Sequence, residues 1–357
     1  MKHFTLKFLA ILLPIQIALI SILKLFPKFI EQYYSQNLFF VISKTQHFLL
    51  SWIPFSFGDL LYAFIVIWIL FWIFKLFRNK FKNFKIKLLE VLAFLSVFYF
   101  LFHFFWGLNY YRLPLHKNLK IGTEYSKTEL VDFTCELIQR TNIAHRKLVS
   151  HDSTKVDFNF KQKELQDLVF DAYQNFENEK FHFKYERENV KPSLFSLPLS
   201  YAGFSGYVNP FTNEAQYNYK IPTYKLPTSI AHEIGHQLGY SKENEANFIA
   251  SILSIHDKNP HVRYSGLTFA LKYSLTDIYK SDPELSQVLI SELNPGVMKN
   301  YKEVQGFWDK YRGPIELFME MMYGNYLKIN NQPKGMDSYN YVVALLVNYH
   351  KSFNIFE

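Results

Sequence analysis

Apolar positions are spread unevenly along this chain. Three stretches in its first third are nearly unbroken runs of large apolar side chains, at 8–23, 59–77 and 88–106. The second and third approach the length that a bilayer core demands. The first lies between Lys7 and Lys24 and is followed by no small-residue cleavage site, so it reads as a retained anchor. Between the first two runs, 29–55 mixes aromatics with Glu31, Gln32, Lys44 and Gln46, the pattern of an amphipathic helix along the outer membrane interface. After Trp106 the pattern turns helical. Ser126-Lys127-Thr128-Glu129 is a capping box, and Leu130, Phe133, Leu137, Ile138 and Ala144 form the buried stripe of the helix it starts. Leu165, Leu168, Val169, Tyr173 and Phe176 predict a second helix. From Pro192 to Tyr219, Gly203, Gly206, Pro210 and Asn213 punctuate short runs that predict strands at 197–201 and 206–208, with a third at 215–219. Further helices are expected at 266–280, 283–293, 297–311, 315–329 and 339–350. The fold class is α+β and mostly helical, with a small sheet. Residues 1–107 form a membrane region with three transmembrane helices, and 108–357 form an extracytoplasmic domain.

Charge sets the expected orientation. Arg78, Lys80, Lys82, Lys85 and Lys87 crowd the connection between the second and third runs, and the positive-inside rule places that loop in the cytoplasm. Lys2 and Lys7 put the N-terminus on the same side. The chain is thus expected in the cell (inner, cytoplasmic) membrane, multi-pass, with everything after Trp106 outside the cytoplasm. The sequence pI of 9.1 owes much to that loop, and five basic residues wedged between apolar spans point to a lipid bilayer rather than to nucleic acid. The single cysteine, Cys135, cannot form an internal disulfide and falls within a helical pattern that reads as core.

The chemistry concentrates in His232-Glu233-Ile234-Gly235-His236. Histidines four apart on a helix point to one side, a turn above each other, so both imidazoles can reach one Zn²⁺, with Glu233 beside them as general base. HExxH alone is a weak signal, but its surroundings fit. Thr228 or Ser229 is placed to cap a helix entered through Pro222 and Pro227, and Gly239 is placed to end it. Ser241 is then a natural N-cap for a second helix through Ala246, Phe248, Ile249, Ile252 and Leu253. Two histidines leave zinc under-coordinated, and the third ligand should be an acid, Glu243 or Glu245. The competing reading is a surface helix with solvated histidines, followed by acids that favour a helix N-terminus.

Glu243-Asn244-Glu245-Ala246-Asn247 resembles the gluzincin zinc peptidases, where the ligand acid is followed four residues later by a group that orients a histidine. That resemblance favours Glu243 as ligand and Asn247 as the group that orients a histidine, with Asn standing where Asp is usual and Glu245 the alternate ligand. Across nearly the whole chain the order of parts resembles an uncharacterised bacterial family of membrane-anchored, zincin-like proteins, a domain of unknown function. The shared segments are Trp106-Gly107-Leu108-Asn109-Tyr110-Tyr111-Arg112, residues 206–215, the His232 motif through Phe248, residues 263–266, and Tyr326-Leu327-Lys328 leading into Ser338-Tyr339. The resemblance implies architecture, a zincin-like (gluzincin-type) metallopeptidase domain, more than a substrate.

The function expected is a membrane-anchored zinc metallopeptidase, a hydrolase acting on a peptide or protein. An extended substrate would pair with a sheet edge before the motif, where Gly203 and Gly206 let another backbone approach. Tyr207 and Tyr264 are candidate oxyanion donors. Arg263 is a candidate for a substrate carboxylate, though an ordinary surface arginine is the preferred reading. Glu214 is placed near the cleft through its strand, and His256 and His261 read as solvent-facing. The alternative from another class is a non-catalytic, metal-stapled membrane protein for cell-envelope assembly or sensing, in which Glu233 has no use.

Overall fold

Three helices take up the apolar runs and are long enough to cross a membrane: α1 (Lys2–Leu23), α3 (Phe57–Arg78) and α4 (Phe84–Phe105). The computed structural model describes residues 2–176, 183, 185–333, 335 and 341–356. Phe64, Ile67, Phe71 and Phe74 stand exposed on α3, a surface suited to lipid and not to water. Ser56 caps α3 by accepting from the Asp59 amide, and α1 packs along α4.

The segment between the first two apolar helices is helical, and part of its polar side meets protein. A wide π-helical stretch, Ile30–Leu38, runs directly into α2 (Phe39–Leu50). Gln46 donates to the Phe211 carbonyl at 2.8 Å, and His47 bonds the Asn213 carbonyl at 3.2 Å. Glu31 makes a two-pronged pair with Arg112, at 2.8 Å to Nε and 2.7 Å to Nη2, with both side chains buried. Phe29, Tyr33, Val41, Phe48, Leu49 and Trp52 of the same segment stand exposed. Ile30, Tyr34, Phe39, Trp106, Tyr110 and Tyr111 form a small apolar core joining this segment to the exit of α4.

The capping box at Ser126 opens α5 (Lys127–Leu148), and α6 (Gln162–Gln174) follows. A three-stranded sheet comes next, in the order β1 (Val190–Pro192), β3 (Ala215–Tyr217), β2 (Gly206–Val208). β1 pairs parallel and β2 antiparallel with β3, which leaves β2 at an edge. Residues 197–201 are not a strand. They belong to α7 (Ser196–Ala202), which ends at Gly203 with φ +78°. Alternating Leu197, Leu199 and Tyr201 imitate a strand, yet Ser196 and Ser200, four apart, are the buried positions. The Ser200 hydroxyl donates to the Ser196 carbonyl and accepts from Asn218.

α8 (Leu226–Gln237), α9 (Glu243–His256) and α10 (Pro260–Ser281) form the centre, with Ile230, Ile234, Phe248, Ile249, Leu253 and Leu271 in its core. Around them lie α11 (Pro283–Ser291), α12 (Pro295–Tyr311), α13 (Pro314–Ile329) and α14 (Val342–Phe353). Ser338 and Tyr339, part of the family resemblance, lie outside the described residues. Cys135 is half-buried against the core.

Two glycines on these helices make opposite demands. A Cβ on Gly266 would lie 2.5 Å from Ser254 Cβ and 2.8 Å from the Ile255 backbone nitrogen, so α9 and α10 can touch only there without a side chain. A Cβ on Gly235 would meet Ala246 Cα at an ordinary 3.5 Å. Gly266→Ala should therefore destabilise by about 1–3 kcal/mol or more through overpacking. Gly235→Ala should raise stability by up to ~1 kcal/mol through helix propensity. Thermal unfolding of the detergent-purified protein separates the two, and equal shifts would contradict the packing described.

The Glu31 pair carries a pH signature. Burial opposes its ionisation, but the hydrogen bonds and charge of Arg112, helped by Gln36 and Asn118, win and lower its pKa below the ordinary 4.5. A depressed carboxylate pKa contributes stability above the unfolded value and loses it as pH falls through the folded one. Glu31→Gln should cost about 3–5 kcal/mol near neutrality, because it leaves the Arg112 charge buried and uncompensated. The gap to wild type should close on acidification below 4.5. Profiles of stability against pH that run parallel would contradict it.

Candidate functional site

α8 begins without a side-chain cap. A tight turn at Thr223–Lys225 feeds straight into it, Lys225 already has helical backbone, and Thr228 and Ser229 sit inside the first turn. The expected cap by either residue is thus unnecessary. At the other end Gly239 adopts φ +85° and its amide bonds the His236 carbonyl, while the Tyr240 amide bonds that of Gly235. This reversal is the one read from sequence. α9 then starts from Lys242 and not Ser241, whose buried hydroxyl has no partner among the described residues. The Glu243 amide is met instead by the Gln332 side chain at 3.2 Å.

The reversal brings the first residue of α9 onto the two histidines of α8. Glu243 Oε2 lies 3.2 Å from His232 Nε2 and 3.6 Å from His236 Nε2. Two ligand atoms on a tetrahedral zinc with bonds of 2.0–2.1 Å sit about 3.3 Å apart. The donor set and spacing therefore fit such an ion. His232, Glu233 and His236 also bring ligand atoms within 4.8 Å of one another.

Tautomers sharpen the fit. His236 Nδ1 lies 2.7 Å from the Tyr240 carbonyl, which can only accept, so Nδ1 carries hydrogen. Its Nε2 then faces a carboxylate and needs a proton or a cation between them. Burial works against a charged His236, but Glu243, Glu233 and the Tyr240 carbonyl raise its pKa to about 9. Burial alone would raise the pKa of Glu243, yet the two imidazoles hold it well below the carboxylate range. Burial pushes Glu233 up to about 7 despite both histidines. Glu233 Oε2 and His232 Nδ1 are buried with no hydrogen-bond partner among the described residues.

Several side chains that sequence reasoning left without a role hold this cluster. The Tyr323 hydroxyl donates to Glu243 Oε1 at 2.5 Å. Trp106 Nε1 donates to the His236 carbonyl at 3.0 Å, and Arg112 Nη1 to the Gly239 carbonyl at 3.0 Å. The resemblance quoted Trp106 and Arg112 without a role, and nothing in the local pattern around Tyr323 sets it apart from the chain's other 24 tyrosines, of 25 in all.

The remaining candidates divide clearly. Glu245 turns away, accepting from the Leu115 amide at 2.9 Å with Lys242 at 3.7 Å. Asn247 lines the cavity but donates to the Tyr273 hydroxyl at 3.3 Å, and the Tyr240 carbonyl orients His236 in its place. Gly206 stands against Glu233, where a Cβ would lie 2.6 Å from Oε1. The neighbouring Tyr207 points across the pleat and commits its hydroxyl to Asp59 of α3. Tyr264 is fully buried on Asn300, at 2.8 Å. Arg263 bonds the Asp257 carbonyl, His256 the Ile252 carbonyl, and His261 sits between the rings of Phe158 and Phe160. Glu214 does not reach the cleft; its carboxylate accepts from the Phe57 and Gly58 amides at the start of α3, at 3.1 and 2.5 Å. Gly203 serves as the stop of α7.

His232, Glu233, His236 and Glu243 open onto a cavity of about 1420 Å³. Tyr273, Tyr323, Lys225 and Lys272 also line it. No curated protein and no solved structure matches the chain. A family model described as "Protein of unknown function (DUF3810)" matches residues 34–347, most of the sequence, and the chain belongs to that family.

Proposed function

We propose that the protein is a membrane-anchored zinc metallopeptidase, with His232, His236 and Glu243 as ligands and Glu233 as general base. The observation that carries this reading is the approach of Glu243 Oε2 to both Nε2 atoms, with the unpartnered carboxylate oxygen of Glu233 beside them. A zinc ion held there supplies a water with a pKa near 7 and polarises a carbonyl. Glu233 Oε2 is free to take a proton from the attacking water and pass it to the leaving amine. The free edge of β2 offers main-chain hydrogen bonds to an extended peptide, and Gly206 keeps the path beside Glu233 open. Tyr273 replaces Tyr207 and Tyr264 as the donor to a developing oxyanion. Its hydroxyl accepts from Asn247, and its own proton has no acceptor among the described residues. The basic connection between α3 and α4 favours a cytoplasmic loop, which supports an extracytoplasmic site. A metal-stapled, non-catalytic protein would share the ligands but have no use for an unpaired Glu233.

Zinc analysis of the purified full-length protein should find about one ion per chain. His236→Ala and Glu243→Ala should lose it, while Glu245→Ala keeps it. Tyr323→Phe should weaken zinc affinity by roughly 10–100-fold, the usual effect of removing a group that holds a ligand. A folded wild type that holds no divalent metal would overturn the reading.

Glu233→Gln should retain zinc and lose peptide hydrolysis by about 10²–10⁴-fold or more. Gly206→Ala should also retain zinc but lower kcat, because its methyl displaces Glu233. Undiminished hydrolysis by Glu233→Gln would move the stapled alternative to the front.

A further inference from the structure

The cavity that holds the histidines does not stop at the catalytic residues. It continues to Leu13 of α1, Tyr62 of α3, and Leu95, Phe98 and Phe102 of α4. Depth follows from helix rise. Leu13 and Leu95 each lie ten residues from the end of their helix nearest the site, Leu23 and Phe105. At 1.5 Å per residue that is roughly 15 Å, half of a bilayer core of about 30 Å. Tyr62 lies five residues into α3 and so at about half that depth. The apolar arm of the cavity therefore reaches to bilayer level between spans.

Strand β2 points along the same path. It begins at Gly206 beside Glu233. The Tyr207 ring stacks on Tyr62 at 6.1 Å, and Phe211, shortly beyond the strand, packs on Phe98 at 4.9 Å. A peptide paired with this free edge would be led from the catalytic acid into the apolar arm. α7 and α13, which line the cavity through Leu199 and Ile315, also expose Leu197, Tyr201, Phe318 and Met322. Elsewhere on the cavity wall stand Lys225 and Lys272, neither with an ion-pair partner among the described residues. They suit a carboxylate on the polar part of the ligand.

We propose that the site takes a peptide still anchored in the bilayer, its apolar segment or acyl chain lying between α1, α3 and α4 and its scissile bond beside Glu233. The proposal rests on the peptidase reading above for the scissile bond and on the cavity alone for the anchor. An apolar arm open towards the spans makes the anchor a recognition element, and lateral entry from lipid makes the bilayer the route of access.

Binding separates the two parts. Glu233→Gln protein, full-length in lipid nanodiscs, is given two fluorescent peptides of one acidic sequence, one of them bearing an N-terminal palmitoyl chain. A photoreactive phenylalanine analogue in place of Leu95, which is half-exposed and free to change, should crosslink the palmitoylated peptide and not the plain one. Adding Leu13→Trp and Leu95→Trp to fill the arm should weaken binding of the palmitoylated peptide at least about tenfold and leave the plain peptide unaffected. Zinc content and thermal unfolding identify any filled variant that fails to fold, and the single-site crosslink stands without it. Equal crosslinking of both peptides, or none, overturns the anchored-substrate proposal, while zinc-dependent cleavage of the plain peptide by wild type would leave the peptidase reading standing. Arm-dependent binding in a wild type that cleaves neither peptide would uphold the anchor site and overturn the peptidase reading with the scissile-bond half of this proposal.

Discussion

Arg112 is the interaction on which the rest depends. Its guanidinium forks onto Glu31, bonds the Gly239 carbonyl, and lies 4.4 Å from the Tyr240 ring centre. Gly239 and Tyr240 are the reversal between α8 and α9, so one buried cation fixes the angle at which Glu243 meets the two histidines. Trp106 does the same from the other side through the His236 carbonyl. Desolvating an arginine and a glutamate costs several kcal/mol for each ion, and only a nearly complete set of hydrogen bonds offsets it. Here the set is nearly complete: Glu31 also accepts from Gln36 and Asn118.

The membrane helices hold the site by a second set of contacts. Glu214 places its carboxylate on the amides that open α3, where the helix dipole favours a negative charge. Asp59 returns the contact, accepting from the Leu194 amide and the Ser193 hydroxyl, and from Tyr207. A Cβ on Gly58 would lie 2.6 Å from the Gln216 side chain, so the helix start sits hard against the sheet. Through these contacts Tyr207, a candidate oxyanion donor in the sequence, and Glu214, expected near the cleft, hold α3 against the sheet.

Local rules made much of this legible. The HExxH spacing, the Gly239 stop, the Ser126 capping box and the three apolar spans each follow from a periodicity or a backbone preference within a few residues. The choice between Glu243 and Glu245 was open on spacing alone, because both lie in one helical turn; the position of Leu115, 130 residues earlier in the chain, helps to separate them. Tyr323, Tyr273 and Gln332 were illegible for the same reason: their partners are distant in sequence and their surroundings ordinary. α7 imitates a strand because Leu197 and Tyr201 face outward while Ser196 and Ser200 are buried, which inverts the rule that apolar periodicity marks the core. The helical pattern of 29–55 is legible, but the protein partners of Glu31, Gln46 and His47 are not, since an amphipathic face does not say what will meet its polar side.

The π-helical stretch at Ile30–Leu38 lends itself to a last consideration, of assembly order. It contributes Glu31 and Tyr34 from a segment that becomes available only after α1 has been inserted, and Trp106 follows only after α4. The reversal between α8 and α9 is made much later in synthesis and arrives at a seat already built. The geometry of the histidine–glutamate cluster is thereby tied to residues that flank the apolar helices, so that placing those helices and shaping the cluster are one event.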